Sequence, residues 1–240
     1  MRARDVEANH GWLWIKQGFA LFRKAPLLWW VLLGIIFIGY LLLHAILGVV
    51  GDVLFALIYP MFAAGIMVGC RALENGQELE LGHLVSVLKT NPRPLLMIGA
   101  LSVLAGVLIS LIISWLLPVD DEIVRLLNDP TIDPPRAAQW MLMLAAAQLL
   151  LSLPLLMAVW FAPALLAFQD MSAVHAIRWS FYACLSNIGA LTVYALASLA
   201  LTMVAAIPLG LGLILLIPTL IASTYAMYRD IFVEQEAAAS

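Results

Sequence analysis

Six long apolar runs divide this chain, and nearly all of its basic residues fall on one side of them. The runs are roughly 17–30 residues long, enough for a helix to cross the ~30 Å hydrocarbon core of a bilayer. Hydrophobic residues make up 64% of the chain and the mean hydropathy is +1.02. A soluble domain holds roughly 45–50% apolar residues. The pattern predicts an all-α membrane protein, a single transmembrane domain over residues 1–240. Its six spans are expected at about 27–47, 53–72, 95–117, 137–168, 189–207 and 213–228. The fourth is long enough that it must tilt, kink or protrude. Pro154 and Pro163 fall inside it, and Pro208, Gly210 and Gly212 mark a tight turn before the sixth.

Orientation follows from the basic residues. With the N-terminus in the cytoplasm, Arg2, Arg4, Lys16, Arg23, Lys24, Arg71, Lys89, Arg93, Arg178 and Arg229 are inside, and Arg125 and Arg136 outside. That is a strong positive-inside bias over short loops. It predicts a multi-pass membrane protein with both termini cytoplasmic. The first apolar run lacks a cleavage site and reads as a signal anchor. The formal net charge of −3 carries no message about nucleic acid. Cys70 and Cys184 fall on the reducing side, which argues against a disulfide.

A short amphipathic segment precedes each pair of spans: 12–26, 83–94 and 176–187. Each ends in a polar or basic breaker and enters a span. The chain therefore reads as three copies of one unit, a cytoplasmic interfacial helix followed by a transmembrane hairpin, arranged about an approximate threefold centre. In the first segment Trp12, Trp14, Ile15, Gly18, Phe19, Leu21 and Phe22 fill one half of a helical wheel, and Lys16, Gln17, Arg23 and Lys24 the other. Such a helix lies flat in a headgroup layer. Trp12, Trp14, Phe19, Lys16, Arg23 and Lys24 are the expected interfacial anchors, with Leu21 toward lipid and Lys24 toward water.

Small and weakly polar residues recur at helical spacing within the spans. They are Ser102, Gly106, Ser110 and Ser114; Tyr194, Ser198, Thr202 and Ala206; Gly65 and Gly69; and Ala145, Gln148 and Ser152. Spacings of three or four keep each set on one face, where helices approach closely and hydroxyls bond across. Gln148, Ser152, Ser110 and Thr202 are the candidate intramembrane contacts. Overpacking at Gly106 is expected to destabilise the bundle. No Asp, Glu, Lys or Arg lies near the middle of a span, which argues against an ion-coupled pump. His44, near the outer end of the first span, is the sole titratable candidate there.

Catalytic patterns are absent: no HExxH, GxSxG, Walker loop or GxGxxG occurs. His10, His83 and His175 all fall at the cytoplasmic face, but their spacings to the following spans differ, and no metal site is expected. No cofactor is called for. The outer loop, with Asp120, Asp121, Glu122, Asp129 and Asp133, lacks the alternation of a calcium loop. A short helix is expected there over 122–127.

Several stretches resemble a known group. They are Gly11-Trp12-Leu13-Trp14 with Leu21-Phe22-Arg23-Lys24-Ala25-Pro26, Cys70-Arg71-Ala72-Leu73-Glu74-Asn75-Gly76, Ala162-Pro163-Ala164-Leu165 with Ala176-Ile177-Arg178-Trp179-Ser180-Phe181, and Tyr228-Arg229-Asp230-Ile231-Phe232. Together they resemble an uncharacterised proteobacterial family of six-span integral membrane proteins, over nearly the whole chain. More distantly, the third unit resembles the membrane region of glycerophosphodiester phosphodiesterase-like proteins. That region carries no known catalytic residues and the catalytic domain is missing here. The resemblance implies a location in the bacterial inner membrane and this architecture, and transfers no activity.

Two functions of different class fit these features. One is a non-enzymatic scaffold or interaction protein that engages membrane lipid, with room for a protein partner. The other is a passive transporter or pore for a small or amphiphilic solute, favoured by the Ser/Thr stripes and the prolines. A continuous water-accessible route would mark the pore, and a dry bundle with an apolar side groove the scaffold. Reporters fused at Ser240 and within residues 120–133 are expected to report opposite compartments. The same compartment for both would overturn the six-span topology.

Overall fold

The computed structural model describes residues 3–90, 92–117, 124, 128 and 133–233, with 88–90 described by backbone alone. Among these residues every regular element is a helix. They are α1 (His10–Lys24), α2 (Pro26–Leu47), α3 (Val49–Glu74), α4 (Gly82–Thr90), α5 (Pro92–Leu116), α6 (Pro134–Val159), α7 (Ala162–Phe168), α8 (Ala173–Ser186), α9 (Ile188–Ala206) and α10 (Leu213–Tyr228). A π-helical turn, Arg229–Val233, continues α10. Apart from Val124, the helix expected over 122–127 lies outside the described residues.

The boundaries have local causes. Ala25 leaves the helical region (φ −150°, ψ 60°) and Pro26 opens α2, where its missing N–H is no loss. Gly48, at φ 56°, makes the single-residue turn between α2 and α3. The Asp133 carboxylate accepts from the Arg136 amide (3.2 Å) and starts α6. Pro154 does not end α6. The break comes at Trp160 and Phe161, just ahead of Pro163 in the first turn of α7. There the Phe161 amide donates to the Ser180 hydroxyl (2.9 Å) rather than within its own helix.

Among the described residues, five segments are long and apolar enough to cross a membrane: Pro26–Leu47, Val49–Glu74, Pro92–Leu116, Pro134–Phe168 and Ile188–Ala206. The sixth expected span, α10, has 16 residues, about 24 Å of helix at 1.5 Å per residue. It falls short of the others, and its second half is enclosed by protein.

Packing is concentrated at one end. Trp14, Trp29, Phe161, Leu165, Phe232 and Ile231 are fully buried where the ends of α3, α7 and α10 meet α1 and α8. Toward the opposite end the helices present Leu, Ile and Met outward, as on Leu142, Leu150 and Trp115. Water would not tolerate so much contiguous apolar surface, and acyl chains would.

Each short helix is seated on other helices of the bundle, and α1 on ones distant in sequence. α1 lies against α9 and α10, α4 against α3, and α8 against α6 and α7. Close approach depends on small residues. A Cβ on Gly18 would strike the Thr219 carbonyl and come within 2.7 Å of the Ser223 amide nitrogen. One on Gly65 would lie 2.7 Å from the backbone of His83 and Leu84. The Gly65/Gly69 pair thus receives α4.

The Ser102–Ser114 stripe departs from expectation. A Cβ at Gly106 meets nothing within 4 Å, and Ser110 and Ser114 are exposed. The stripe lines an open cleft of about 590 Å³ with Asp52, Val53 and Ala56. Its hydroxyls turn back to their own helix, so the periodicity records no helix contact here.

Two substitutions separate these situations. Gly18→Ala is expected to lower stability by about 1–3 kcal/mol through overpacking. Gly106→Leu is expected to stay within about 0.5 kcal/mol of the parent. Thermal unfolding in detergent checks both, and a larger loss at Gly106 than at Gly18 would reverse the assignment.

Candidate functional site

A polar seam runs through the packed end of the bundle. Its centre is Asp230, in the π-helical turn, whose side chain is 4% exposed. Its Oδ2 accepts from Trp14 Nε1 (2.7 Å) and from His10 Nδ1 (2.6 Å). The Arg4 guanidinium lies 3.8 Å from Oδ1. The Arg4 amide donates to the Ile231 carbonyl at 2.9 Å. Asn187, between α8 and α9, holds the same N-terminal stretch: its Oδ1 accepts from the Val6 amide (2.9 Å) and its Nδ2 donates to the Arg4 carbonyl (3.0 Å). Residues 4–14 are thereby tied to the last helix and to the α8–α9 junction.

A second cluster joins α3 to α10. Glu74 accepts from the Tyr225 hydroxyl (2.6 Å) and pairs with Arg229. Lys24 donates to the Leu73 carbonyl (2.6 Å), at the negative end of α3. Elsewhere, Ser180 on α8 donates to the Met157 carbonyl (2.8 Å), and the Tyr194 and Ser223 hydroxyls lie 2.9 Å apart between α9 and α10. These bonds satisfy polar groups that would otherwise be costly to bury.

None of the intramembrane candidates forms such a bridge. Gln148 donates to Ser152 (3.1 Å) one turn along α6. Ser110 donates to the Gly106 carbonyl (3.0 Å) and Thr202 to the Ser198 carbonyl (2.7 Å). Gln148, Ser110 and Thr202 are exposed and Ser152 half-buried, each bonded within its own helix. Helical spacing brings such residues to one face without saying whether another helix is there.

The α1 anchors split into two sets. Trp14 is fully buried, and Leu21 is buried as well, against protein and not lipid. The reason is that α1's apolar half meets α9 and α10, where Gly11 and Gly18 let backbones approach. Trp12 and Phe19 remain exposed, as do Lys16, Arg23 and Lys24. Arg23 stacks over the Phe19 ring at 5.8 Å.

The histidines do not converge. His10 engages Asp230, His83 accepts from the Glu80 amide (3.0 Å), and His175 meets Ser172 (2.8 Å). His44 pairs with Asp52 (2.9 Å) at the far end. Among the described residues no group of three His, Cys, Asp or Glu side chains could hold a metal ion. Both cysteines are free and buried. Burial pushes the Cys184 thiol up to about 12.

Two apolar grooves open on the side. One, of about 480 Å³, lies between α1, α9 and α10. The other, of about 450 Å³, lies between α6, α8 and α9. Only the first has a charged lining residue, Lys16.

These features accompany a match to a membrane protein. The chain is similar to a probable inner membrane protein of Burkholderia thailandensis. The two are 29% identical over 239 residues, covering 95% of this chain and 84% of that one. No family model matches, and no solved structure does. With five apolar helices of spanning length, the match marks a multi-span membrane protein. The distant likeness to glycerophosphodiester phosphodiesterase-like proteins gains no support.

The seam residues Asp230, Glu74, Asn187 and Ser180 were not singled out from sequence. One signal was available: the second long helix of the first and third units exits on an acid, Glu74 and Asp230. Trp14→Phe removes the indole N–H and part of the ring at a fully buried position, leaves Asp230 one donor short, and is expected to cost about 2–4 kcal/mol in detergent unfolding. Cys184, protonated below about pH 12 and buried, is expected to resist maleimide at neutral pH until the protein is denatured. Fast labelling of the native protein would contradict its burial.

Proposed function

We propose that this chain is a non-enzymatic inner-membrane protein that acts as a scaffold and engages lipid along its sides. The observation that carries the proposal is the solid core at one end. Trp14, Trp29, Phe161, Leu165 and Phe232 fill the region where the ends of α3, α7 and α10 converge. A pore needs a wet route there. The described cavities are side clefts, and the two at that end have largely apolar walls. Of the Ser/Thr stripes that favoured a conduit, Ser110, Ser114 and Thr202 are exposed, and Tyr194 bonds a neighbouring helix. The name of the Burkholderia relative supports the inner membrane.

In the finer topology we propose, α2/α3, α5/α6–α7 and α9/α10 are three hairpins. Each follows a short helix, α1, α4 or α8, at the cytoplasmic side, and both termini are cytoplasmic. The contacts support a cyclic order. α4 of the second unit sits on α3 of the first, α8 of the third on α6 and α7 of the second, and α1 of the first on α10 of the third. The crossings involve Gly65 with Leu84, Ser180 with Phe161 and Gly18 with Thr219. A repeat that hands its short helix to the preceding unit generates such a ring. The basic residues gather at this packed end, which supports placing it in the cytoplasm.

Purified protein reconstituted in liposomes tests the function. No flux of small solutes above protein-free vesicles is expected. Saturable, protein-dependent flux would establish the transporter instead.

A further inference from the structure

We propose that the groove between α1, α9 and α10 is a binding site for one anionic phospholipid, with an acyl chain in the groove and the phosphate at Lys16 and Arg23. The proposal rests on the lipid-engaging reading above and names its site and ligand class.

The groove's volume, about 480 Å³, is in the range of roughly 300–1,000 Å³ typical of small-ligand sites. Its walls are Val204 and Leu215 on one side and Trp12 and Phe19 on the other, closing near Gly212. Lys16 is the exception in this lining. It has no hydrogen-bond or ion-pair partner among the described residues, unlike Lys24, which donates to the Leu73 carbonyl. A lysine against apolar walls spreads its methylene stem over them and extends the ammonium toward the nearest polar layer. An unpaired ammonium beside hydrocarbon needs an anion, and the anion abundant at a membrane surface is the lipid phosphate.

Helical geometry adds a second cation. Lys16, Phe19 and Arg23 are separated by three and four residues, so they share the exposed edge of α1 with Trp12. Arg23 is held over the Phe19 ring at 5.8 Å. The groove thus pairs an apolar trough with a two-cation rim and two aromatic rings. The neighbouring groove between α6, α8 and α9 has similar volume but no charged lining residue. It serves as an internal control for hydrophobic filling without charge.

The test is native mass spectrometry of the full chain released from detergent after equilibration with phosphatidylglycerol or phosphatidylcholine. The wild type is expected to retain one phosphatidylglycerol about thirtyfold over phosphatidylcholine, the factor matching about 1 kcal/mol for each of the two cations near the surface. Lys16→Gln is expected to reduce that preference to about fivefold, and Lys16→Gln with Arg23→Gln to erase it. Val204→Trp, at a position 62% exposed, fills the trough without disturbing the core and is expected to abolish retention of either lipid there. Ile188→Trp in the uncharged groove, at 56% exposure, is expected to leave the preference intact. Equal retention of both lipids by the wild type overturns the proposal. So does a preference that both Lys16→Gln and Val204→Trp leave undiminished. A dimer that disappears in Val204→Trp would assign the groove to a second copy of the chain and also overturn it. Liposome flux, measured separately, decides between scaffold and pore whatever lipid is retained.

Discussion

A carboxylate shut away from water costs several kcal/mol unless donors compensate it, and Asp230 is compensated from elements far away in sequence. Trp14 and His10 donate to one oxygen and the Arg4 guanidinium faces the other. Those partners stand more than 200 positions earlier. Because they reach Asp230 only when α1 lies on α10, satisfying one charge joins the two ends of the chain. The Asn187 bonds to Val6 and Arg4 and the Glu74 pair with Arg229 reinforce the junction. Removing any one donor leaves a charge or dipole stranded in protein, so the seam acts as a unit.

The seam also explains the unequal packing along the bundle. Helices in lipid gain little from burying Leu against Leu, because acyl chains are as apolar as the side chains. Association then depends on close backbone approach and on polar bonds. Gly11, Gly18 and Gly65 supply the first, and the hydroxyls of Ser180, Tyr194 and Ser223 the second. All lie toward the packed end. Toward the other end, apart from the His44–Asp52 pair between α2 and α3, the helices carry large apolar side chains and polar groups satisfied within their own turns. Those surfaces meet lipid at no polar cost.

The same logic separates the two kinds of small-residue stripe. Gly65 and Gly69 receive a neighbouring helix, whereas the Gly106 stripe faces an open cleft. Both show spacing of four, and composition does not distinguish them. The difference lies in connection: α4 follows α3 after a short link and folds back onto its glycines, while α3 lies across from Gly106 with a cleft left between its Asp52, Val53 and Ala56 and the stripe.

The amino-acid sequence by itself determined the all-helical class and the presence of several long apolar helices. These are local properties, set by run length, by proline and glycine at the ends and by the 3.6-residue period. Tertiary structure decided which faces are occupied. It took Trp14 and Leu21 from an expected lipid surface into the core, left Gln148, Ser110 and Thr202 bonded to their own helices, and made Asp230 a buried anchor. A helical period states that residues share a face. Only the placement of other helices states what that face meets, and here that placement depends on bonds between residues at opposite ends of the chain.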